Sequence, residues 1–383
     1  MERMIYFDNS ATTFPKPEPV RRAVGQALVY CGANPGRAGH RAAMHTAEAV
    51  YRARCTAAEF FGADSPEQVI FTPGCTWSLN TVLRGRLKPG DHVVISCVEH
   101  NAVYRPVSAL AAEGIHFTAA RIFPGDDGRT LESFASCMKS NTRMIVCTHG
   151  SNVFGIRLPV EQIGVLAHER GAEMVVDGAQ SAGVYPYDLK KMPIDFLCCS
   201  GHKGLYGPMG TGLLIARTPL RPLIWGGTGS RSADANQPEE YPDRLESGTP
   251  NVPGILGLAA GIRFVMQKGT DRIAAHEERL MRRLRQRLAQ TGGVRLYVEP
   301  EVPCFPVLSF NVGDVPSEET AERLDRAGIA VRAGLHCAPL AHRWMGTAEQ
   351  GTVRVSVSAF NHPEECDRLV TILKDWTKSK KTS

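Results

Sequence analysis

Between residues 60 and 216, short apolar runs alternate with helix-length stretches, and that alternation constrains the fold more than any other feature of the chain. The runs are QVIFT (68–72), DHVVIS (91–96), TRMIVCTHG (142–150), AEMVVDGA (172–179) and DFLCCSG (195–201). Helical patterns such as AVYRPVSALAAEG (102–114) and PVEQIGVLAHERG (159–171) lie between them. Runs of this kind, each separated by a helix, predict buried strands in a mostly parallel α/β sheet covered on both faces.

After SGTPNVPG (247–254) the texture changes. One long helical pattern spans 255–290, and Gly292 and Gly293 supply its stop. Its basic residues read as a solvated helix face. FPVLSFNV (305–312), GIAVRAG (328–334) and GTVRVSVSAF (351–360) then suggest a small α+β unit. With 383 residues there is enough chain for a large and a small domain. The expected division is a large domain over 16–253 and a small one over 254–383 joined by residues 1–15. No internal repeat or low-complexity linker interrupts it.

Composition narrows the function classes. Apolar residues make up 43% and charged residues 22%, ordinary values for a globular protein. The net charge of +5 is mild and no dense basic patch is interleaved with aromatics, so nucleic acid is not an expected partner. Asp8 precedes any apolar run of signal-peptide length, and no stretch reaches the roughly 18 apolar residues of a membrane helix. A cytoplasmic protein without a membrane partner is expected, with KSKKTS (378–383) as a solvated tail. The eleven cysteines are scattered, several within apolar runs, and no pair of CxxC sequences occurs. Most therefore read as reduced core thiols, and no metal site is expected. Cys337 stands apart.

The residues that carry chemistry fall at the carboxyl ends of the strands, where open α/β sheets bind ligands. In FTPGCTWSLN (71–80) a glycine turn opens a helix, and its backbone N–H groups with Thr76 suit a phosphate. A plain helix cap explains Thr76 as well. In VDGAQS (176–181) an apolar strand ends on Asp177, a carboxylate costly to bury without a cationic partner. A protonated pyridine nitrogen is such a partner, and that pairing makes pyridoxal phosphate an electron sink. Gln180 lies within reach of the ring's phenolic oxygen. In SGHKGLYGPMGTG (200–212) Lys203 is the one lysine among five glycines. A partly desolvated amine can form a Schiff base with an aldehyde cofactor. Ser200 and His202 flank it as phosphate donors, and the glycines are expected to let backbone approach the cofactor.

These stretches, with YFDNSATT (6–13), EHNA (99–102), SNVFG (151–155), ESGTPN (246–251), RAGLHCA (332–338) and VRVSVSAFN (353–361), resemble the cysteine desulfurase family. The resemblance runs over nearly the whole chain, on the class V aminotransferase fold and its SufS-like, selenocysteine lyase-like branch. It implies a pyridoxal 5'-phosphate-dependent transferase of fold type I that converts L-cysteine to L-alanine. His100 would stack on the ring and assist proton transfers. Asn152 and Gln180 would bond the phenolic oxygen, Asp177 would hold the ring nitrogen, and Lys203 would carry the cofactor. Cys75, Thr76, Ser200 and His202 would grip the phosphate. Thr249 would reach the phosphate of a neighbouring subunit, which implies a homodimer. Arg354 would pair with the substrate carboxylate, aided by Asn152.

Cys337 would take the substrate sulfur as a persulfide and pass it to a sulfur-acceptor protein, as in iron–sulfur cluster assembly. Its loop is expected to be exposed and mobile, and the nearby Arg332 would favour the thiolate. His336 and His342 do not give a familiar zinc spacing around it. Three positions depart from the family pattern: Leu335 in place of a histidine, Cys75, and Trp77. Selenocysteine lyase, aminotransferase or epimerase activity on the same cofactor stays open, as does a non-catalytic sulfur-relay scaffold.

Overall fold

The computed structural model describes residues 4–36 and 39–379. Of the expected tail, Lys378 and Ser379 close the last helix, and the rest lies outside the described residues.

Strand β1 (Ile5–Tyr6) is followed by helices α1 (Glu18–Tyr30) and α2 (Arg41–Phe61). The alternation then runs β2 (Val69–Thr72), α3 (Cys75–Arg86), β3 (His92–Ser96), α4 (Asn101–Leu110), β4 (His116–Ala120) and α5 (Asp127–Cys137). It continues with β5 (Thr142–Thr148), α6 (Val160–Glu169), β6 (Glu173–Asp177), β7 (Phe196–Ser200) and β8 (Gly212–Ala216). β2 to β8 form one seven-stranded sheet in the order β2-β8-β7-β6-β5-β3-β4. Only β8 runs against its neighbours, antiparallel to β7 and β2. β3, β5, β6 and β7 are mutually parallel, so their carboxyl ends meet at one edge. β4 and β8 add two strands to the expected runs. HFTAA is largely polar or small, and GLLIA continues straight out of the glycine-rich stretch.

The unbroken apolar runs have a simple cause. Ile145, Cys147, Met174, Val176, Leu197 and Cys199 face one core with Phe61, Phe134 and Ile163 from α2, α5 and α6. Their neighbours Met144, Val146, Val175, Phe196 and Cys198 face a second core with Leu79, Val82 and Val103 from α3 and α4. The two-residue period is intact, but both faces are buried, so no polar alternation appears.

Two helices, α7 (Val252–Lys268) and α8 (Thr270–Ala289), replace the single long one expected over 255–290. Gly269 ends the first, with φ +85° and its N–H bonded to the Val265 carbonyl at 2.8 Å. α7 packs on α1 and α2, and its Leu258 and Ile262 join the core of the large sheet. Beyond α8 come β9 (Val294–Leu296), β10 (Val307–Val312), α9 (Ser317–Arg326), β11 (Ile329–Ala330), α10 (Pro339–Met345), β12 (Val353–Ser356) and α11 (Pro363–Ser379). β12, β10 and β9 make a small antiparallel sheet, whose core joins Phe310 and Val355 to Leu284 and Leu369. The amino-terminal segment belongs here as well, since β1 pairs with β11 and Phe7 enters this core. We propose, from this packing, that the two units divide at Gly269 rather than at 253/254.

Candidate active site

The floor of the site is the shared carboxyl edge of β3, β5, β6 and β7. Asp177, the last residue of β6, is 2% exposed. Its Oδ1 accepts the Ala179 N–H at 2.9 Å and the Cys75 thiol at 3.3 Å. Cys75 thus turns its side chain to the carboxylate, away from the phosphate role expected of it. Only its backbone N–H remains for that role. Burial, and then Asp177 itself, push this thiol well above its usual range.

Lys203 follows β7 by three residues and is half-buried. Burial lowers its pKa, with Arg354 and Arg332 acting the same way and Asp177 and Cys75 opposing. Its Nζ makes no hydrogen bond among the described residues. Two of the glycines around it make room for the protein's own chain. A Cβ on Gly201 would meet Thr211 Oγ1 at 2.3 Å, and one on Gly204 would meet the Ala182 carbonyl oxygen at 2.3 Å. They let the lysine loop fold against its own chain.

His100 caps α4, its Nδ1 accepting the Ala102 N–H at 3.0 Å. That bond leaves the proton on Nε2. Burial and then Lys203 lower its pKa to about 4, so the ring is neutral at ordinary pH. Beside it, Glu99, the first residue of the EHNA motif, is fully buried, and sequence reasoning gave it no role. Its Oε1 accepts from the Thr148 N–H at 2.9 Å and from the Ser96 hydroxyl, tying β3 to β5. Burial raises its pKa to about 8. A carboxylate at the end of an apolar strand was the available signal, the same one that marked Asp177.

Asn152 donates Nδ2 to the His336 carbonyl at 2.7 Å, while its own carbonyl accepts Arg354 Nη1 at 3.0 Å. One Nδ2 hydrogen and Oδ1 remain for a ligand. Gln180 donates Nε2 to the Ser10 carbonyl at 3.2 Å, leaving its second amide hydrogen. Arg354, in β12 and 3% exposed, pairs through Nη2 with Asp8 Oδ1 at 2.7 Å. Asp8 is the second residue that sequence reasoning missed, and no local pattern links it to position 354.

The phosphate side is less complete. The turn before α3 has Gly74 at the cap with no side-chain bond, and Thr76 is exposed, so the plain-cap reading of Thr76 fails. Ser200 is buried at the end of β7. His202 is lowered to about 4 by burial, Lys203 and Lys16. Thr249 is exposed and lines, with Trp77 and Ile224, a cavity of about 780 Å³. Neither Lys203 nor Asp177 lines that cavity.

Above the floor lies the loop of Cys337. Cys337 is exposed, and it and His336 both adopt left-handed backbone, φ +56° and +47°. The loop docks on the floor through its backbone. The Cys337 carbonyl accepts the Asn101 N–H at 2.7 Å, next to His100. His336 is buried with Nε2 3.0 Å from the Thr352 carbonyl, and burial lowers its pKa to about 2.

Residues 5–369 match the family model for aminotransferase class V. The chain belongs to that family. It is 33% identical to a probable cysteine desulfurase of Methanothermobacter thermautotrophicus, over 97% of this chain and 94% of the relative. It is 34% identical to a cysteine desulfurase of Escherichia coli strain O127:H6, over 97% and 93%. An apo structure of a cysteine desulfurase from Thermococcus onnurineus NA1 superposes with a TM-score of 0.90 at 34% identity, covering 98% of this chain and 95% of that one. This member of the family is accordingly an enzyme on a fold type I scaffold.

Its site residues fit a pyridoxal phosphate group. Asn152 Oδ1, His202 Nδ1 and Arg354 Nε are each buried without a partner, as expected of groups that meet a polar ligand. Asp177 suits a ring nitrogen, Gln180 and Asn152 a phenolic oxygen, and Ser200 and His202 a phosphate. No helix among the described residues is long and apolar enough to cross a membrane. All eleven cysteines are free, and no acidic, histidine or cysteine cluster among the described residues could hold a metal ion.

Proposed function

We propose that the protein is a pyridoxal phosphate-dependent cysteine desulfurase. It converts L-cysteine to L-alanine and retains the sulfur as a persulfide on Cys337. The observation that carries this reading is the docking of an exposed thiol loop on the floor residues, through Cys337 to Asn101 and His336 to Asn152.

The cofactor, held by Lys203, Asp177, Gln180, Ser200 and His202, supplies the electron sink that labilises the substrate's Cα proton and its carbon–sulfur bond. Arg354 binds the substrate carboxylate, already oriented by Asp8 and the Asn152 carbonyl. The Lys203 amine, depressed by burial, is the base for the Cα proton. His100 presents its Nε2–H as a hydrogen-bond donor, and the Lys203 amine, having taken the Cα proton, carries the proton that the product carbon takes up. The Cys337 thiolate attacks the substrate sulfur. A sulfur–sulfur bond forms, the carbon–sulfur bond breaks, and its electron pair stays on Cβ, which takes up a proton. L-Cysteine and the thiol thus give L-alanine and a persulfide, with no external oxidant.

Transfer of that sulfur to an acceptor protein, for iron–sulfur assembly, is supported by the exposure of Cys337. Exposed apolar residues on α1 and α2 (Leu28, Val29, Tyr30, Met44) support a homodimer. Thr249 would then act across the interface. A cytoplasmic location is supported by the free thiols.

The test is incubation of the purified protein with L-cysteine and a thiol reductant, with alanine and sulfide measured together. Equal amounts are expected. A keto-acid requirement would instead indicate transamination. Activity confined to L-selenocysteine and retained without Cys337 would indicate a selenocysteine lyase.

A further inference from the structure

Arg285 lies on α8, far in function from Lys203, and is 7% exposed. Its Nε and Nη2 are buried with no hydrogen-bond partner. No acidic residue among the described ones pairs with it. The guanidinium's polar neighbour is the Cys304 thiol, which accepts a hydrogen bond from it; burial pushes that thiol up and Arg285 pulls it down. A guanidinium removed from water without an anion is among the costliest arrangements in a protein interior.

This side chain lines a cavity of about 680 Å³, within the usual size range of small-molecule sites. The cavity opens between α8, the 300–306 segment and the loops holding Arg157 and Tyr185. None of its lining residues belongs to the site of Lys203 and Cys337. Val302, Phe305 and Met281 give it an apolar wall, while Asp271, Glu278 and Glu301 also line it. Arg282 is already paired with Glu278 at 2.6 Å. Arg157 also lines the cavity, so three arginines face three acids and Arg285 is the buried cation left without an acidic partner, which favours a single negative charge. A single planar fork suits a carboxylate, and the apolar wall suits an organic body.

We propose that this cavity is a second ligand site, which takes a small organic monocarboxylate with an apolar body and holds it by the Arg285 guanidinium. The proposal stands apart from the desulfurase reading and uses none of its residues.

Crystals of the cofactor-loaded protein soaked in 4-bromobenzoate test it. The bromine anomalous peak is expected in the cavity, with the carboxylate on Arg285. Calorimetry with benzoate and its neutral isostere benzamide is the companion measurement. Benzoate binding at this site should weaken about ten- to hundredfold in Arg285→Met, and benzamide should not bind. Ala274→Trp, which fills the cavity and leaves Arg285 in place, should also abolish binding, and it guards against a misfolded Arg285 variant. Peaks only at Arg354, water alone on Arg285, equal binding of benzamide, or occupancy by inorganic phosphate in preference to benzoate would each overturn the proposal.

Discussion

Cys75 and Cys337 are both thiols of the candidate site, and their surroundings differ in every respect that governs sulfur chemistry. Cys75 is buried at the start of α3, with Sγ 3.3 Å from an Asp177 oxygen and 3.3 Å from the Cys198 carbonyl. Burial and the neighbouring carboxylate hold its proton on. Cys337 is exposed, in a loop where Gly334, His336 and Cys337 all have positive φ (+97°, +47° and +56°). The same functional group is a buried hydrogen-bond donor in the floor and a solvent-exposed thiol in the loop. Reactivity follows from desolvation and neighbouring charge, not from residue type.

The largest expected effect comes from removing the loop thiol. Cys337→Ala should lower alanine formation from L-cysteine by at least about 10³-fold, the scale of losing a nucleophile. Steady-state alanine assays check this, and near-normal turnover would break the contrast. Alkylation comes next. At neutral pH iodoacetamide should label Cys337 at least about 10³ times faster than Cys75, because Cys75 reacts only after local opening. Peptide mapping by mass spectrometry reads the ratio.

A smaller effect is expected at Cys75. Cys75→Ala removes one donor to Asp177, an interaction worth about 1 kcal/mol, so cofactor affinity should weaken by no more than about tenfold. Cys75→Ser, which keeps a donor, should restore most of it. Equilibrium dialysis of the cofactor measures both variants.

The smallest effect concerns Glu99 beside His100 in the floor. Folding raises its pKa from 4.5 to about 8. The folded state therefore holds a proton that the unfolded state has released, and stability falls as pH rises between those values. Glu277, also raised to about 8, contributes the same slope elsewhere. In Glu99→Gln the decline in Tm from pH 6.5, the ordinary histidine value, to pH 8 should be shallower than in the wild type. Parallel curves would show that Glu99 is ionised in the folded protein.

What could be read from the chain follows the range of the forces involved. Strands buried on both faces leave unbroken apolar runs, so the parallel sheet was legible in local windows. Asp177 and Lys203 were legible because a charge ends an apolar strand or interrupts a glycine run. Gly269 was hidden inside a helical pattern, because a single left-handed residue divides it without changing its periodicity. The antiparallel β8 carries no local sign of its direction. Contacts made by chain-distant residues were equally silent, as with Asp8 on Arg354 and Asn101 on Cys337. Gly201 and Gly204 announced a close approach without saying to what. The family resemblance supplied roles for Arg354 and Thr249 that no spacing could.

Single-turnover reaction of the cofactor-loaded protein with L-cysteine, without reductant, followed by peptide mass analysis, tests the central claim. The account predicts one added sulfur atom on the peptide carrying Cys337, none on that carrying Cys75, and one alanine per sulfur. Alanine released with no sulfur on Cys337, or sulfur found on another cysteine, would contradict it.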